Sequence, residues 1–340
     1  MDKLSKLYEK GVSRRNFLAG AGALSAASVL AGCSNSGPAA PVTPPAPVTP
    51  AVAFNDVDIL NFALNLEYLE AEFYLRAATG TGLSATDAGT GAGTVTGGTK
   101  IPGLTTLQQN ILNEIAYDEQ EHVKFLRAAI TKAGATPVSR PNLVLDASFT
   151  AAATAANALS ANNAAGTPFA MIPATFNPYA DFNSFLVGAF VFEDVGVTAY
   201  NGAATLISTP GIMGGILSAA AGILAVEAYH AAYVRTALTG SAILAAQSTP
   251  STPYPFLDYA NRISALRASL GNGKETPLVL PTSPSTPSSI VAADTTNAIA
   301  FNRTPSEVLH IVYASGGGAG VSMGGFFPQG VNGNIKTTLS

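Results

Sequence analysis

Two places in the sequence combine a glutamate with a histidine three residues later. Glu119 and His122 form the pair in YDEQEHVKFL, and Glu227 and His230 form the pair in AVEAYHAAYV. Residues three apart share one face of a helix, so each pair offers a carboxylate oxygen and an imidazole nitrogen to one ion. The alternative interpretations are a solvated helix face and a lone buried ion pair. The repeated order and the apolar flanks favour metal ligation over both.

Two further glutamates complete a repeated pattern. Glu67 lies within FALNLEYLEAEFYL and Glu193 within LVGAFVFEDVGVTAY, and a tyrosine follows each of them by seven residues, Tyr74 or Tyr200. The chain therefore contains two copies of one hairpin, each with a glutamate and then a Glu-x-x-His pair. The tyrosines are predicted to be core aromatics with a bonded hydroxyl. The alternative is that they orient a glutamate or carry an oxidising equivalent.

The assignment of Glu67 has two competitors nearby. Glu70 shares a helical face with Glu67 and is an alternative or additional ligand. Glu72 is predicted to point elsewhere and to be solvated. The match between the two glutamate–tyrosine spacings favours Glu67.

Charge balance explains why four glutamates could be buried together at one site. Four carboxylates neutralise two divalent cations, which leaves a core that a bundle can bury. Without metal the same acids repel one another, and several of them must be protonated. The sequence therefore predicts a site for two Fe or Mn ions, since oxygen and nitrogen ligands suit both metals.

Four long helices are needed to bring these residues together. Helical patterns are predicted at about 54–78, 104–134, 182–209 and 212–240, with Asn55 or Asp56 as the first N-cap. The first and last pairs are hairpins, and the connection over 135–180 is long, with a short helix at about 147–159. This order predicts an all-α fold, a ferritin-like antiparallel four-helix bundle with a long crossover between helices two and three.

The sequence resembles the ferritin-like superfamily over residues 54–240, through NLEYLEAEFY, YDEQEHVKFL, VFEDVGVTAY and AVEAYHAAYV. The resemblance implies the metal ligands Glu67, Glu119, His122, Glu193, Glu227 and His230. It favours Glu119 and Glu193 as the glutamates that contact both ions. It also implies that Asp118 hydrogen-bonds the histidine of the opposite motif, the alternative being a surface carboxylate. Val226 stands at the matching position, so the two metal positions should be unequal.

The end of the chain is similar to a narrower family. RTPSEVLHIVY followed by GGFFPQGVNG looks like the C-terminal signature of desiccation-related ferritin-like proteins. Residues 241–340 are predicted to form a loop-rich extension that packs on the bundle, with helices near 256–270 and after Thr304. His310 has no partner at metal spacing and is predicted to be structural.

The N-terminal sequence is typical of an export signal. Arg14 and Arg15 form a twin-arginine pattern, and an apolar run over 18–31 ends in Leu-Ala-Gly-Cys33, which resembles a lipobox. Residues 1–33 are therefore predicted to be a Tat signal peptide, with lipid attached to Cys33, and the Pro-rich residues 34–53 to be a linker. The mature protein is expected in the periplasm or cell envelope, anchored to the membrane by that lipid.

Composition narrows the class of function. Of the 340 residues only 11% are charged and the net charge is −4, without basic runs, which argues against nucleic-acid binding. The ligand set favours a di-metal oxidoreductase acting on O2, H2O2 or Fe(II), of ferroxidase, peroxidase or manganese-catalase type. The alternative is a non-catalytic, lipid-anchored stress protein whose metal site is structural or vestigial. An oligomer is compatible with the sequence, whereas the tether, the long loop and the tail argue against a closed ferritin cage.

Overall fold

The fold is described from a computed structural model. It describes residues 54–159, 169–248, 254–279, 290–294 and 296–339. The predicted signal peptide, the lipidation site Cys33 and the linker lie outside the described residues.

The described chain is helical, with one small pair of strands. The elements in chain order are α1 (Asp56–Thr79), α2 (Ala85–Ala88), β1 (Val95–Thr96), α3 (Thr106–Lys132), β2 (Leu143–Val144), α4 (Ala147–Ala158), α5 (Phe182–Ala204), α6 (Thr209–Met213), α7 (Ile216–Ser248), α8 (Pro255–Leu270) and α9 (Pro305–Val312). Helix α1 packs along α3, and α5 packs along α7. The prediction of an all-α, ferritin-like four-helix bundle is confirmed.

Local signals set the starts of the bundle helices. Asn55 caps α1 and Thr105 caps α3, each through a reciprocal capping box with the side chain three residues later. Asp181 caps α5 by accepting a hydrogen bond from the backbone of Ser184. Helix α7 begins at Ile216, later than predicted, because the one-turn α6 precedes it and Gly215 adopts a positive φ of 85°. It also continues to Ser248, beyond the predicted end at 240.

The long connection between α3 and α5 is anchored to the loop after α1. Strands β1 and β2 are parallel, with Val95 paired to Leu143 and Thr96 to Val144. Helix α4 follows directly and buries Phe149 and its small alanines. The crossover thereby closes over the side of the bundle that α1 and α5 share.

Helix α5 lies at the centre of the fold. Its residues from Ser184 to Tyr200 are buried on every face, which explains its apolar sequence. By length and composition α5 and α7 could each cross a membrane; the apolar stretch is 89% buried in the protein for α5 and 22% buried for α7. At one end of the bundle the rings of Phe73 and Phe185 stack with centroids 5.5 Å apart. Phe149 and Phe192 extend this aromatic packing.

The C-terminal segment packs on the same side. Helix α8 contacts α5 and α4, and α9 contacts α5. The backbone nitrogen of Arg303 donates to the carbonyl of Thr198 at 2.9 Å. Asn332 and Asn65 exchange side-chain and backbone hydrogen bonds. These contacts hold the segment against α1 and α5.

One expectation about α1 is wrong. Glu72 is fully buried, not solvated. It pairs with Arg76 at 2.8 Å and with Arg140. A buried carboxylate is tolerated when it is paired in this way. Arg140 comes from the crossover, 68 residues along the chain, so the spacing on α1 alone does not reveal the pair.

Candidate metal site

Six side chains from all four bundle helices converge at the middle of the bundle. They are the predicted ligands Glu67, Glu119, His122, Glu193, Glu227 and His230. Their ligand atoms form two groups, within each of which the atoms lie within 4.8 Å of one another. Glu119 belongs to both groups, so the two groups are adjacent.

The first group surrounds His122. Its Nδ1 atom lies 3.2 Å from Glu67 Oε2, 3.5 Å from Glu119 Oε2 and 3.5 Å from Glu227 Oε1. All three glutamates are completely buried. Three helices thus aim carboxylates at one imidazole nitrogen.

The second group surrounds His230. Its Nδ1 atom lies 3.0 Å from Glu119 Oε1 and 3.8 Å from Glu193 Oε2. Glu119 thus turns one oxygen towards each histidine, as expected of a glutamate shared by two ions. Glu193 belongs to the second group only, which differs from the expectation that it also faces both ions. The reason is that its other oxygen is held by a tyrosine.

The two tyrosines connect the hairpins crosswise. Tyr74 on α1 donates its hydroxyl hydrogen to Glu193 Oε1 on α5, and Tyr200 on α5 donates to Glu67 Oε1 on α1. Each glutamate therefore keeps its Oε2 atom for the neighbouring histidine. Burial, followed by the nearby carboxylates, raises the pKa of both tyrosines well above the usual value, so both hydroxyls stay protonated donors. Both tyrosines are buried core aromatics with a bonded hydroxyl, which fits the first interpretation, and their partners are glutamates, which also fits the alternative that they orient a glutamate.

Asp118 contacts the histidine of the opposite motif. Its Oδ2 atom lies 3.2 Å from His230 Nε2. A carboxylate here favours the tautomer with hydrogen on Nε2, which leaves the Nδ1 lone pair directed at the second group. Val226, which precedes Glu227 as Asp118 precedes Glu119, has no polar side chain to act on His122. The two halves of the site are unequal, in line with the sequence.

The acids in the cluster oppose one another electrostatically. Burial raises the pKa of Glu67 to about 8, helped by the charges of Glu227 and Glu119 although His122 opposes it. Burial, with further contributions from the surrounding groups, also raises the pKa of Glu193 and Glu227. Glu119 is the exception, because His122 and His230 outweigh its burial and lower its pKa to about 2. Such a cluster lacks positive charge that a cation would supply.

The same cluster contains polar atoms without hydrogen-bond partners among the described residues. They are Oε1 and Oε2 of Glu119, Oε1 and Oε2 of Glu227, Oε2 of Glu193 and Nδ1 of His230. Some of them lie near each other without hydrogen-bond geometry. Buried polar atoms are normally satisfied, so this concentration calls for an additional partner. A metal cation would be such a partner, and carboxylate oxygen and imidazole nitrogen donors fit Fe or Mn.

Glu70, the alternative ligand, lies beside the cluster and in neither group. It is 4% exposed, and burial together with the charge of Glu227 raises its pKa well above the usual value. Across from it is Gly196. A Cβ atom there would lie 3.3 Å from Glu70 Oε1 and 2.3 Å from Glu227 Oε2. Gly196 therefore leaves room for both carboxylates. The sequence alone shows only a glycine within an apolar helix and does not reveal this role.

Four glutamates and two histidines buried at the centre of an antiparallel four-helix bundle define a metal-binding protein of the ferritin-like class. The family model described as "Ferritin-like domain" matches residues 55–240, and the chain belongs to this family. It is 32% identical to "Ferritin-like catalase Nec2" of Nesocodon mauritianus over 291 residues. The aligned region covers 82% of this chain and 84% of that protein. The chain is 30% identical over 264 residues to "Desiccation-related protein PCC13-62" of Craterostigma plantagineum, over 75% of this chain and 76% of that protein.

These comparisons confirm the resemblance that the bundle motifs and the C-terminal segment indicate. The chain belongs with the desiccation-related ferritin-like proteins. Family membership and the buried carboxylate–histidine cluster together support a metal-binding stress protein.

Proposed function

We propose that the cluster holds two Fe or Mn ions and disproportionates hydrogen peroxide. The observation that carries this proposal is the pair of adjacent ligand groups that share Glu119. The similarity to a protein named as a ferritin-like catalase, over most of both chains, favours peroxide over the other substrates of such sites.

The proposed reaction is 2 H2O2 → 2 H2O + O2. One peroxide molecule is oxidised to O2 and the other is reduced to water, so the electrons and protons balance without another reductant. Two ions held by the six predicted ligand residues would supply the two-electron capacity that both halves of this reaction require.

The side chains of the protein prepare the site for this chemistry. Tyr74 and Tyr200 hold Glu193 and Glu67 in one orientation, and Asp118 holds His230. Complete burial of the glutamates keeps bulk water away, which strengthens every electrostatic interaction inside. Such preorganised ligands limit the reorganisation required when charge changes at the site.

The test is an oxygen-electrode assay with H2O2 on protein loaded with Fe or Mn. We expect rapid O2 release from the wild-type protein, at half the molar amount of peroxide consumed. Glu119→Gln should abolish it by removing the shared carboxylate. Glu121→Gln is the matched control, because Glu121 is two residues away, 42% exposed in its side chain and paired with Lys124. Metal-loaded wild-type protein that releases no O2 above the rate in buffer would overturn the proposal.

A second function is supported by the similarity to the desiccation-related protein of Craterostigma plantagineum. In that alternative the metal is a structural staple of a non-catalytic stress protein. Stopped-flow measurements with Fe(II), O2 and H2O2 separate the two. Rates equal to those in buffer, together with a large fall in melting temperature on chelation, would favour the staple. Rapid Fe(II) oxidation without peroxide turnover would indicate a ferroxidase instead.

We propose further that the protein is exported by the Tat route and anchored to the cell envelope through lipid on Cys33. The support is the twin-arginine pattern and the lipobox-like sequence before Cys33. Cell fractionation tests it, with replacement of both Arg14 and Arg15 by lysine expected to retain the protein in the cytoplasm. Cys33→Ser should leave export intact and move the protein to the soluble envelope fraction. Equal membrane association of Cys33→Ser and wild type would contradict the lipid anchor.

A further inference from the structure

The two ends of the bundle are packed differently. Aromatic rings around Phe73 fill one end. The other end encloses a cavity of about 400 Å³, where α1 and α7 begin and α3 and α5 end. Protein interiors contain few voids larger than a water molecule, and ligand pockets commonly measure about 300–1,000 Å³. A space of this size is large enough to hold a small organic molecule.

The walls of the cavity are apolar and come from all four bundle helices. Ala63 on α1, Leu126 on α3 and Ala220 and Ile223 on α7 are among the lining residues. Alanine and glycine provide much of the wall, so the space results from small side chains. Apolar walls of this kind favour contact with apolar molecules over contact with water.

The inner end of the cavity reaches the surroundings of the metal site. Tyr200 lines it, and the hydroxyl of this residue donates to Glu67. Ile223 lies one helical turn before Glu227, and Leu126 lies one turn after His122. A molecule in the cavity would contact the ring that orients a predicted metal ligand.

The outer end is apolar with one charge at its edge. Phe125 lines the mouth and is 45% exposed. Gly215 also lines the mouth, and a Cβ atom there would meet nothing within 4 Å. Lys132 is the single charged residue among the described lining residues, and it is exposed. Exposed apolar residues around the mouth of a cavity are typical of an interaction site.

We propose that this cavity binds a small amphipathic organic anion, a medium-chain carboxylate, with its chain inside and its carboxylate beside Lys132. The apolar walls match the chain, and the ammonium group complements the head group. An alkyl chain gains free energy from each methylene that it buries. This proposal does not rest on the proposed function, because it needs neither metal nor turnover.

Calorimetric titration of the full chain with decanoate, below micelle formation, tests the proposal. We expect saturable binding of one decanoate per chain, and octanoate should bind about tenfold or more weakly, given the gain per buried methylene. Ala220→Phe should abolish binding by filling the cavity. Ala221→Phe is the matched control, because Ala221 is exposed on the same helix. Absence of saturable binding to wild type, or equal weakening by both variants, would overturn the proposal.

A second variant tests the head group without altering the interior. Lys132→Met keeps a long, unbranched side chain and removes the charge, so decanoate should bind several-fold more weakly while decanol binds unchanged. Equal affinities of wild type and Lys132→Met for decanoate would contradict the assigned orientation. Metal content measured on the same samples keeps the two proposals separate, since Ala220→Phe should lose decanoate and retain metal.

Discussion

The two helical hairpins contribute the same groups to the candidate metal site, but the residues next to those groups differ between the hairpins. In α1 and α5 a tyrosine follows the glutamate by seven residues, and each tyrosine bonds the glutamate of the other hairpin. The residue that directly follows each of these glutamates differs between the two hairpins. Tyr68 follows Glu67, and its hydroxyl accepts from Arg127 at 2.6 Å. Asp194 follows Glu193 and pairs with Arg235 at 2.7 Å.

The second hairpin therefore has a buried charge network where the first has a neutral phenol. Asp194 also pairs with Arg267 of α8 at 2.8 Å, and Arg267 pairs with Glu275 at 2.8 Å. Arg303 joins through Glu275. Buried charges depend strongly on their partners. The crosswise tyrosines make the ligand site common to both hairpins, whereas the charge network ties the second hairpin to the C-terminal segment.

The largest expected difference between the hairpins is in stability. Asp194→Asn leaves the buried Arg235 and Arg267 short of negative charge and should lower the free energy of unfolding by about 3–5 kcal/mol. Tyr68→Phe removes the two hydrogen bonds of the hydroxyl, with Arg127 and with the carbonyl of Val138, and should cost about 1–2 kcal/mol. Urea unfolding of the metal-free variants measures both. Equal losses in the free energy of unfolding would contradict the assigned difference between the ion pairs of Asp194 and the hydrogen-bonded phenol of Tyr68.

A second prediction concerns the unequal histidines. Asp118→Asn weakens the orientation of His230 and should lower metal affinity at the second position by about 10–100-fold. Val226→Ala, at the matching position, should leave both affinities close to wild type. Metal titration followed by calorimetry separates the two binding events. Loss of affinity at both positions in Asp118→Asn would show that the aspartate does not act on one half alone.

The pair Glu70 and Gly196, at matching positions of α1 and α5, allows a smaller test. Gly196→Ala places a Cβ atom 2.3 Å from Glu227 Oε2 and should destabilise the protein by about 1–3 kcal/mol. Gly222→Ala is the control, because a Cβ atom there meets nothing within 4 Å, and it should stabilise α7 by up to about 1 kcal/mol. Thermal unfolding distinguishes them. A neutral Gly196→Ala would mean that Glu227 has freedom to move.

The smallest effect is the pH dependence of the metal-free protein. The pKa of Glu67 is raised from 4.5 to about 8, so between these values Glu67 keeps its proton in the folded protein and loses it in the unfolded chain. The free energy of unfolding therefore falls as pH rises from 4.5 to about 8. The pKa of His230 is raised from 6.5 to about 10, because Glu193 and Glu119 outweigh its burial. Its contribution to stability is full below pH 6.5 and is lost progressively between pH 6.5 and about 10. Both shifts lower the melting temperature between pH 6.5 and 8.

Differential scanning calorimetry at these two pH values checks the sign. The metal-loaded protein should show a smaller fall or a rise, because metal binding displaces protons and tightens as pH increases. A metal-free melting temperature that is equal or higher at pH 8 would contradict the charge balance assigned to the cluster.

Helical periodicity explains why the approach of each glutamate to its histidine is predictable from sequence. Glu119 and His122 share a face because they are three residues apart, and the same holds for Glu227 and His230. Contacts between helices depend on how the helices align, which periodicity does not reveal. The crosswise tyrosine bonds and the partner of Glu72 therefore emerge only from the structure. The cavity is hidden for a related reason, since alanines that line a void have the same pattern as alanines in a packed core.

Anomalous X-ray scattering from crystals of the metal-loaded protein tests the central claim most directly. Data at the Fe and Mn absorption edges should show two peaks, one beside His122 and one beside His230, with the carboxylate of Glu119 between them. A single peak, or peaks outside the six buried ligand residues, would contradict a dinuclear site shared by the two hairpins.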